Sequence, residues 1–158
     1  MSEKILLPCI HVAEGDIPPR VLVCGDPQRA QRISQRLEDP RCLAQNREFW
    51  TYVGKHRGVE VAVVSHGVGC GGAAIAFESL WRAGAKVIIR TGTCGGMQPD
   101  VTAGSLVVAT AACREEGVTE KMIPLSYPAV ADGEVVSALL DAARQQSIPV
   151  HKGLVLTQ

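Results

Sequence analysis

Short apolar runs alternate with glycine turns and amphipathic stretches along this chain. RVLVCGDPQRA (20–30) passes from strand to turn to helix: Val21–Cys24 are apolar, Gly25 turns, Asp26 is placed to cap, and Pro27 suits the first helical position. The pattern predicts a helix running to about Glu38 and stopping before Pro40. EFWTYVGKHRGVEVAVVSHG (48–67) reads as two strands joined near Arg57-Gly58. GGAAIAFESLWRAGA (71–85) predicts a helix with Ile75, Leu80 and the alanines on its buried face and Gly84 at its end. KVIIR (86–90) predicts a short strand buried on both faces, and SLVVATAAC (105–113) a further strand after Gly104. In DGEVVSALLDAARQQ (132–146), Val135, Val136, Leu139, Leu140 and Ala143 recur at helical spacing. KGLVLTQ (152–158) begins a last strand with nothing after it to cover or pair it.

Strands and helices alternating at this length predict an α/β fold: a mainly parallel or mixed sheet flanked by helices, with one hairpin in it. No repeat, low-complexity run or linker interrupts the 158 residues, so residues 1–158 are expected to form a single domain. An apolar strand left unpaired at a chain end is an aggregation hazard, which implies a larger fold or a partner chain that completes it.

Charge narrows the partners. Lysine plus arginine number 16, aspartate plus glutamate also 16, and no basic tract interrupts the balance. That leaves no electrostatic footprint for nucleic acid or an anionic membrane. The six cysteines show no C-x-x-C spacing and no Cys/His cluster, so neither a disulfide framework nor a metal site is expected. Cys24, Cys70 and Cys113 sit in or beside apolar strand-like stretches and are expected to be buried, reduced thiols. The apolar ILLPCI (5–10) is too short for a signal or a membrane span, and a cytoplasmic protein is expected.

Three glycine turns follow strands, at Gly25, Gly67–Gly72 and Gly92–Gly96. Ligands gather at such turns because backbone N–H groups converge there. Gly67, Gly69 and Gly72 match G-x-G-x-x-G between a strand and a helix, the setting of a dinucleotide fingerprint. The next strand would then end in an acid for a ribose hydroxyl, but it ends in Arg90, which suits a 2′-phosphate. The same glycines equally permit close helix–strand packing.

GDPQR and IIRTGT together are more specific. Gly25 lets a backbone N–H approach an anion, and Arg29 lies one turn along the same helix. Arg90 ends a neighbouring strand, and Thr93 offers a hydroxyl and an N–H. Two arginines, a hydroxyl and main-chain donors make a phosphate cradle of short, charge-assisted hydrogen bonds. The plainer alternatives are a solvated Arg29 and an Arg90 paired with a carboxylate.

VLVCGDPQRA, QNREFWTYVG, AKVIIRTGTCGGMQPDVTAGSLVVAT, CREEGVT and LSYPAVADGEVVSALLDAA resemble, in order, the nucleoside phosphorylases of the trimeric and hexameric type. This family contains uridine phosphorylase and purine nucleoside phosphorylase, and the resemblance runs from about His11 to Gln158. NREFW and YPAVAD look closer to the uridine enzymes. The resemblance implies a three-layer phosphorylase fold and phosphate-dependent cleavage of a nucleoside to free base and ribose 1-phosphate. It implies that Gly25, Arg29, Arg90 and Thr93 hold phosphate, with Arg47 reaching the phosphate of an adjacent subunit. His11 would reach the sugar across the same interface, and Gly67 and Gly69 would wall the sugar and base pocket. The implied partners are a nucleoside and inorganic phosphate as co-substrate, with no cofactor or metal. The implied assembly is a homo-oligomer with a dimer as minimal unit and a trimer of dimers in the family.

The family pattern continues beyond the strand that here reads GLVLT, through a base-recognising segment, a Met-Glu motif for the ribose hydroxyls and a C-terminal helix. The expectation is therefore a C-terminally truncated member with an intact phosphate half-site, inactive alone, in which no residue is assigned as catalytic. Asp100, Glu115, Glu116 and Asp132 read as surface groups in turns and at helix ends. Two other functions stay open: a non-catalytic module for anion binding or oligomer assembly, indifferent to loss of Arg29, Arg47 and Arg90 together, and a dinucleotide-binding domain.

Overall fold

The computed structural model describes residues 5–158, which divide into two compact units, one running to Thr93 and one from Cys94 to Gln158. In the first, β1 (Arg20–Cys24), β2 (Glu38–Asn46), β3 (Phe49–His56), β4 (Val59–Ser65) and β5 (Val87–Arg90) form a mixed sheet in the order β2-β3-β4-β1-β5. Strand β1 runs parallel to β4 and β5, and β3 runs antiparallel to β2 and β4. Two helices, α1 (Pro27–Ser34) and α2 (Cys70–Ala83), flank this sheet.

Side-chain alternation sorts the strands into two layers. Val21, Val23, Val53, Ala62 and Val64 pack with Ala76, Leu80 and Ala83 of α2. Their neighbours Cys24, Tyr52 and Val63 pack on the other face with Ala30 of α1. The result is helix, sheet and helix, as expected. Leu80 is fully buried, worth about 1.5–3 kcal/mol in transfer alone. Ile75 is not part of this stripe: it is 45% exposed. The buried face of α2 runs instead through Ala76, Leu80 and Ala83, whose small alanines let the helix lie close to the sheet.

Local chemistry sets the connections. Arg57 and Gly58 both have positive φ, 51° and 75°, the requirement of a tight two-residue hairpin between right-twisted strands. Gly84 ends α2 with φ 121°. Helix α1 ends at Ser34, short of the expected Glu38, because residues 38–46 become the edge strand β2. Pro40 is tolerated there: it lies within a register shift between Glu38 and Arg41, where the ladder is already interrupted. Strand β5 is half-buried rather than buried on both faces, since it is the other edge of the sheet.

In the second unit β6 (Leu106–Arg114) pairs in parallel with β7 (Val150–Thr157). The last strand is thus paired, contrary to expectation. Helix α3 (Gly133–Gln145) follows a cap in which the Asp132 carboxylate accepts from Val135 N at 2.9 Å. The expected stripe faces inward: Val135, Val136, Leu139 and Leu140 are half-buried and Ala143 is buried, and α3 packs on β6. All six cysteines are free thiols. Cys24 is buried and Cys70 half-buried, but Cys113 is exposed, because it falls on an outward position of β6.

Gly72, in the first turn of α2, approaches the end of β4 so closely that a Cβ there would stand 2.3 Å from the His66 carbonyl oxygen. Backbone has little room to yield. Gly72→Ala is expected to destabilise the fold by about 1–3 kcal/mol, read as a lower urea midpoint at unchanged slope.

Candidate anion site at the ends of three parallel strands

The C-terminal ends of β4, β1 and β5 lie side by side, with Cys24 opposite Ser65 and Val23 opposite Arg90. Their pairing continues into the turns. His66 N donates to Cys24 O at 3.0 Å, Gly67 N to Gly25 O at 2.9 Å, and Thr91 N to Val23 O at 2.8 Å. A Cβ on Gly25 would stand 3.0 Å from Gly67 O, and one on Gly67, at φ 74°, would meet the Glu48 side chain at 2.6 Å. These two glycines let three strand ends and the β2–β3 turn converge. The Ser65 hydroxyl locks that turn, donating to Glu48 O at 2.6 Å and accepting from Trp50 N at 2.9 Å.

Asp26 caps α1 by accepting from Gln28 N at 2.9 Å and pairs with Arg32 at 3.4 Å. Its charge is thereby engaged at the helix start. Burial pushes the Cys24 thiol up, while the guanidinium of Arg29 and, more weakly, that of Arg90 pull it back down. Two arginines from α1 and β5 thus act on one strand end. Among the described residues, neither has a carboxylate partner.

Arg90 is exposed, and its Nε donates to Nε2 of His66 at 3.1 Å. The imidazole is 2% exposed and stands edge-on to the Phe77 ring at 6.0 Å. Burial, then the positive charge of Arg90, hold the His66 pKa below its ordinary value. Its Nδ1 is buried without a hydrogen-bond partner. Gly92 makes room for the arginine: a Cβ there would lie 2.7 Å from Arg90 Nη1.

The other sequence-selected residues fall as follows. Arg29 is half-buried, and Thr93 is exposed just past β5. Gly69, at φ 89°, caps α2 without a side-chain bond. His11 and Arg47 come together away from the Arg90–His66 pair, lining a depression of about 310 Å³ with Pro8, Cys9, Asn46 and Phe49. Both carry left-handed backbone, at φ 51° and 50°. Of the acidic groups read as surface, Asp132 caps α3, Glu116 accepts from Val118 N and Thr119 N, and Asp100 lies 3.6 Å from His151. No group of three or more His, Cys, Asp or Glu among the described residues could hold a metal ion, and no helix among them is long and apolar enough to cross a membrane.

Sequence reasoning gave no role to His66 or Glu48, and took Gly92 only as part of a ligand-gathering turn. The available signal was the polar Ser65-His66 pair closing an otherwise apolar strand, VEVAVV.

A mixed sheet between helices, with glycine turns and, among the described residues, two arginines without carboxylate partners at its parallel strand ends, defines an α/β protein with a candidate anion site. The chain belongs to the phosphorylase superfamily, whose model matches residues 19–158, and its relatives there are nucleoside phosphorylases. It is 41% identical over 146 residues to a uridine phosphorylase of Thermococcus kodakarensis, covering 91% of this chain and 53% of that one. It is 37% identical over 150 residues to a guanosine phosphorylase of Halorubrum lacusprofundi, covering 95% and 62%. The crystal structure of a purine nucleoside phosphorylase from Toxoplasma gondii in complex with immucillin-H superposes with a TM-score of 0.94 at 37% identity, over 100% of this chain and 64% of that one. The chain thus spans between half and two thirds of the length of these relatives.

The depressed His66 pKa fixes a sign. The unfolded chain takes up a proton at this residue at higher pH than the folded one, so stability from neutral His66 is complete above about pH 6.5 and is lost as pH falls through the lower folded value. Arg90 is the charged group that bears on it, while Phe77 and the Gly25 turn bring no charge. Urea unfolding from about pH 7.5 down to about pH 5.5 is expected to show falling stability, with a shallower fall in His66→Gln.

Proposed function

We propose that this chain carries the phosphate side of a nucleoside phosphorylase, with inorganic phosphate as co-substrate and no other cofactor. Gly25 and Thr93 supply backbone and hydroxyl donors, and Arg29 and Arg90 supply charge. Gly67 and Gly69 form the wall toward the sugar and base. Arg47 and His11 serve the phosphate and sugar of an adjacent subunit in a homo-oligomer, a dimer at least and a trimer of dimers in the family pattern. Residues 1–158 are parts of one family domain, a reading supported by the family match that crosses both compact units, in a protein of the cytoplasm.

One observation carries this reading. Two arginines without carboxylate partners among the described residues act on the same end of β1, beside a turn whose glycines bring backbone within contact. Positive charge gathered at one strand end favours an anion there. A phosphate there would meet charge-assisted hydrogen bonds from two directions. In phosphorolysis a phosphate oxygen bonds to the anomeric carbon as the bond from that carbon to the base nitrogen breaks. The electron pair leaves with the base, which takes up a proton. The sugar gains positive charge in between, so a phosphate fixed beside it both stabilises and captures that carbon. Holding reactants in this way is worth roughly 7–11 kcal/mol in well-oriented systems.

The nucleoside of first choice is uridine, on the NREFW and YPAVAD blocks, with inosine in parallel because uridine and purine enzymes are similarly related. Titration calorimetry with inorganic phosphate tests the site. Arg29→Ala and Arg90→Ala are each expected to weaken binding about 10- to 100-fold, the worth of one charged hydrogen-bonding contact. Unchanged affinity in both variants would overturn the assignment and favour a module that does not use these arginines. Phosphate-dependent release of uracil or hypoxanthine reads out the base.

A further inference from the structure

We propose that His66 is the positioning residue for Arg90: its neutral imidazole orients the guanidinium by accepting one hydrogen bond, without cancelling its charge. The inference rests on the phosphate reading above.

An arginine at the end of an edge strand has many rotamers, and an anion must otherwise order it on binding. Proteins often fix an arginine with a carboxylate, which also neutralises it. Here the partner is a buried histidine, fixed through its backbone and its ring contacts while its Nδ1 has no hydrogen-bond partner. Its backbone N–H is bonded to Cys24 O at 3.0 Å, and its carbonyl is crowded by Gly72. Its ring stands against Phe77, with Cε1 3.9 Å from where a Gly25 Cβ would stand. The bond is to Nε of Arg90, so both terminal Nη groups keep their N–H donors for another acceptor. Gly92 leaves Nη1 the space it occupies. The positive charge stays whole and points from a fixed origin.

The arrangement also dictates the proton. Nε2 accepts from Arg90, so the ring must be neutral with its hydrogen on Nδ1. An imidazolium would have no lone pair to offer and would face a second cation. The surroundings press the same way, since burial and Arg90 both disfavour the charged ring.

Three variants of the full chain separate the possibilities, each checked for folding by circular dichroism and titrated with inorganic phosphate. Arg90→Ala reports on the phosphate reading itself. His66→Phe keeps a ring of similar bulk and removes the acceptor. His66→Gln returns an acceptor oxygen near the position of Nε2. The expected pattern is loss in Arg90→Ala, about tenfold weaker binding in His66→Phe, and recovery in His66→Gln to within about threefold of wild type. If Arg90→Ala weakens binding but His66→Phe matches wild type, the positioning role is overturned and the phosphate reading stands. If Arg90→Ala has no effect, the phosphate reading fails and this inference with it. Nitrogen-15 NMR of the wild-type imidazole supplies a test that needs no variant to fold: the hydrogen is expected on Nδ1 at neutral pH, and finding it on Nε2 would overturn the proposal.

Discussion

The site depends on one close approach between two backbones. Strands β1 and β4 remain paired for two residues past their ends, through His66 to Cys24 and Gly67 to Gly25. Glycine at 25 suits this approach, because a methyl there would sit 3.0 Å from the Gly67 oxygen, tighter than most side chains tolerate. Everything at the strand ends follows from that contact. It leads the chain from β1 into α1 and places the His66 ring beside the Gly25 turn. Gly72 repeats the logic one turn later, bringing α2 down onto the His66 carbonyl.

Electrostatics then decide what the convergence is for. Ion pairs elsewhere in the chain are surface pairs, such as Arg82–Glu78 at 2.6 Å and Arg144–Asp141 at 2.8 Å, which contribute little to stability because water screens them. Asp26 is drawn toward Arg32 on the far side of its helix turn. Arg29 and Arg90 are left facing the end of β1 with their charges intact, and a neutral histidine is the one side chain bonded to Arg90 among the described residues. That residual positive charge at the strand ends accompanies membership of the phosphorylase superfamily.

Much of this was legible in the residues, and the failures have physical causes. Apolar runs and caps placed β1, β4, α2 and α3 because each has a clear period and a glycine or aspartate at its end. Strand β2 was hidden by Pro40, which argues against a strand until the register shift that accommodates it is seen. Strand β5 reads as buried because Val87, Ile88 and Ile89 are apolar, yet edge position is a property of topology and not of four residues. Ile75 reads as core by its chemistry, while the alanines beside it set the real contact. Gly25, Arg29 and Arg90 stood out because permanent charge beside a glycine turn has few bland uses, and the ends of β1 and β5 do lie side by side. His66 was not, since a histidine ending a strand carries no mark of what it will meet from a strand 24 residues later.

His11 and Arg47 show a different way of fixing a loop. Both adopt left-handed backbone, which costs a non-glycine residue about 1–2 kcal/mol. Hydrogen bonds offset that cost locally. His11 N donates to Leu7 O at 2.9 Å and Leu7 N to Val12 O at 2.8 Å, closing the loop around His11. The Trp50 indole donates to Arg47 O at 2.9 Å, and Asn46 ties the two loops together through Cys9 O at 2.8 Å. Two exposed, strained residues are thus pinned by four bonds, at a depression floored by the buried Phe49. The two loops are thereby locked to each other, and the His11–Arg47 depression is held by the first unit's own hydrogen bonds. At Arg47 the left-handed backbone serves the turn itself, since Arg47 and Glu48 join β2 to β3 as Arg57 and Gly58 join β3 to β4.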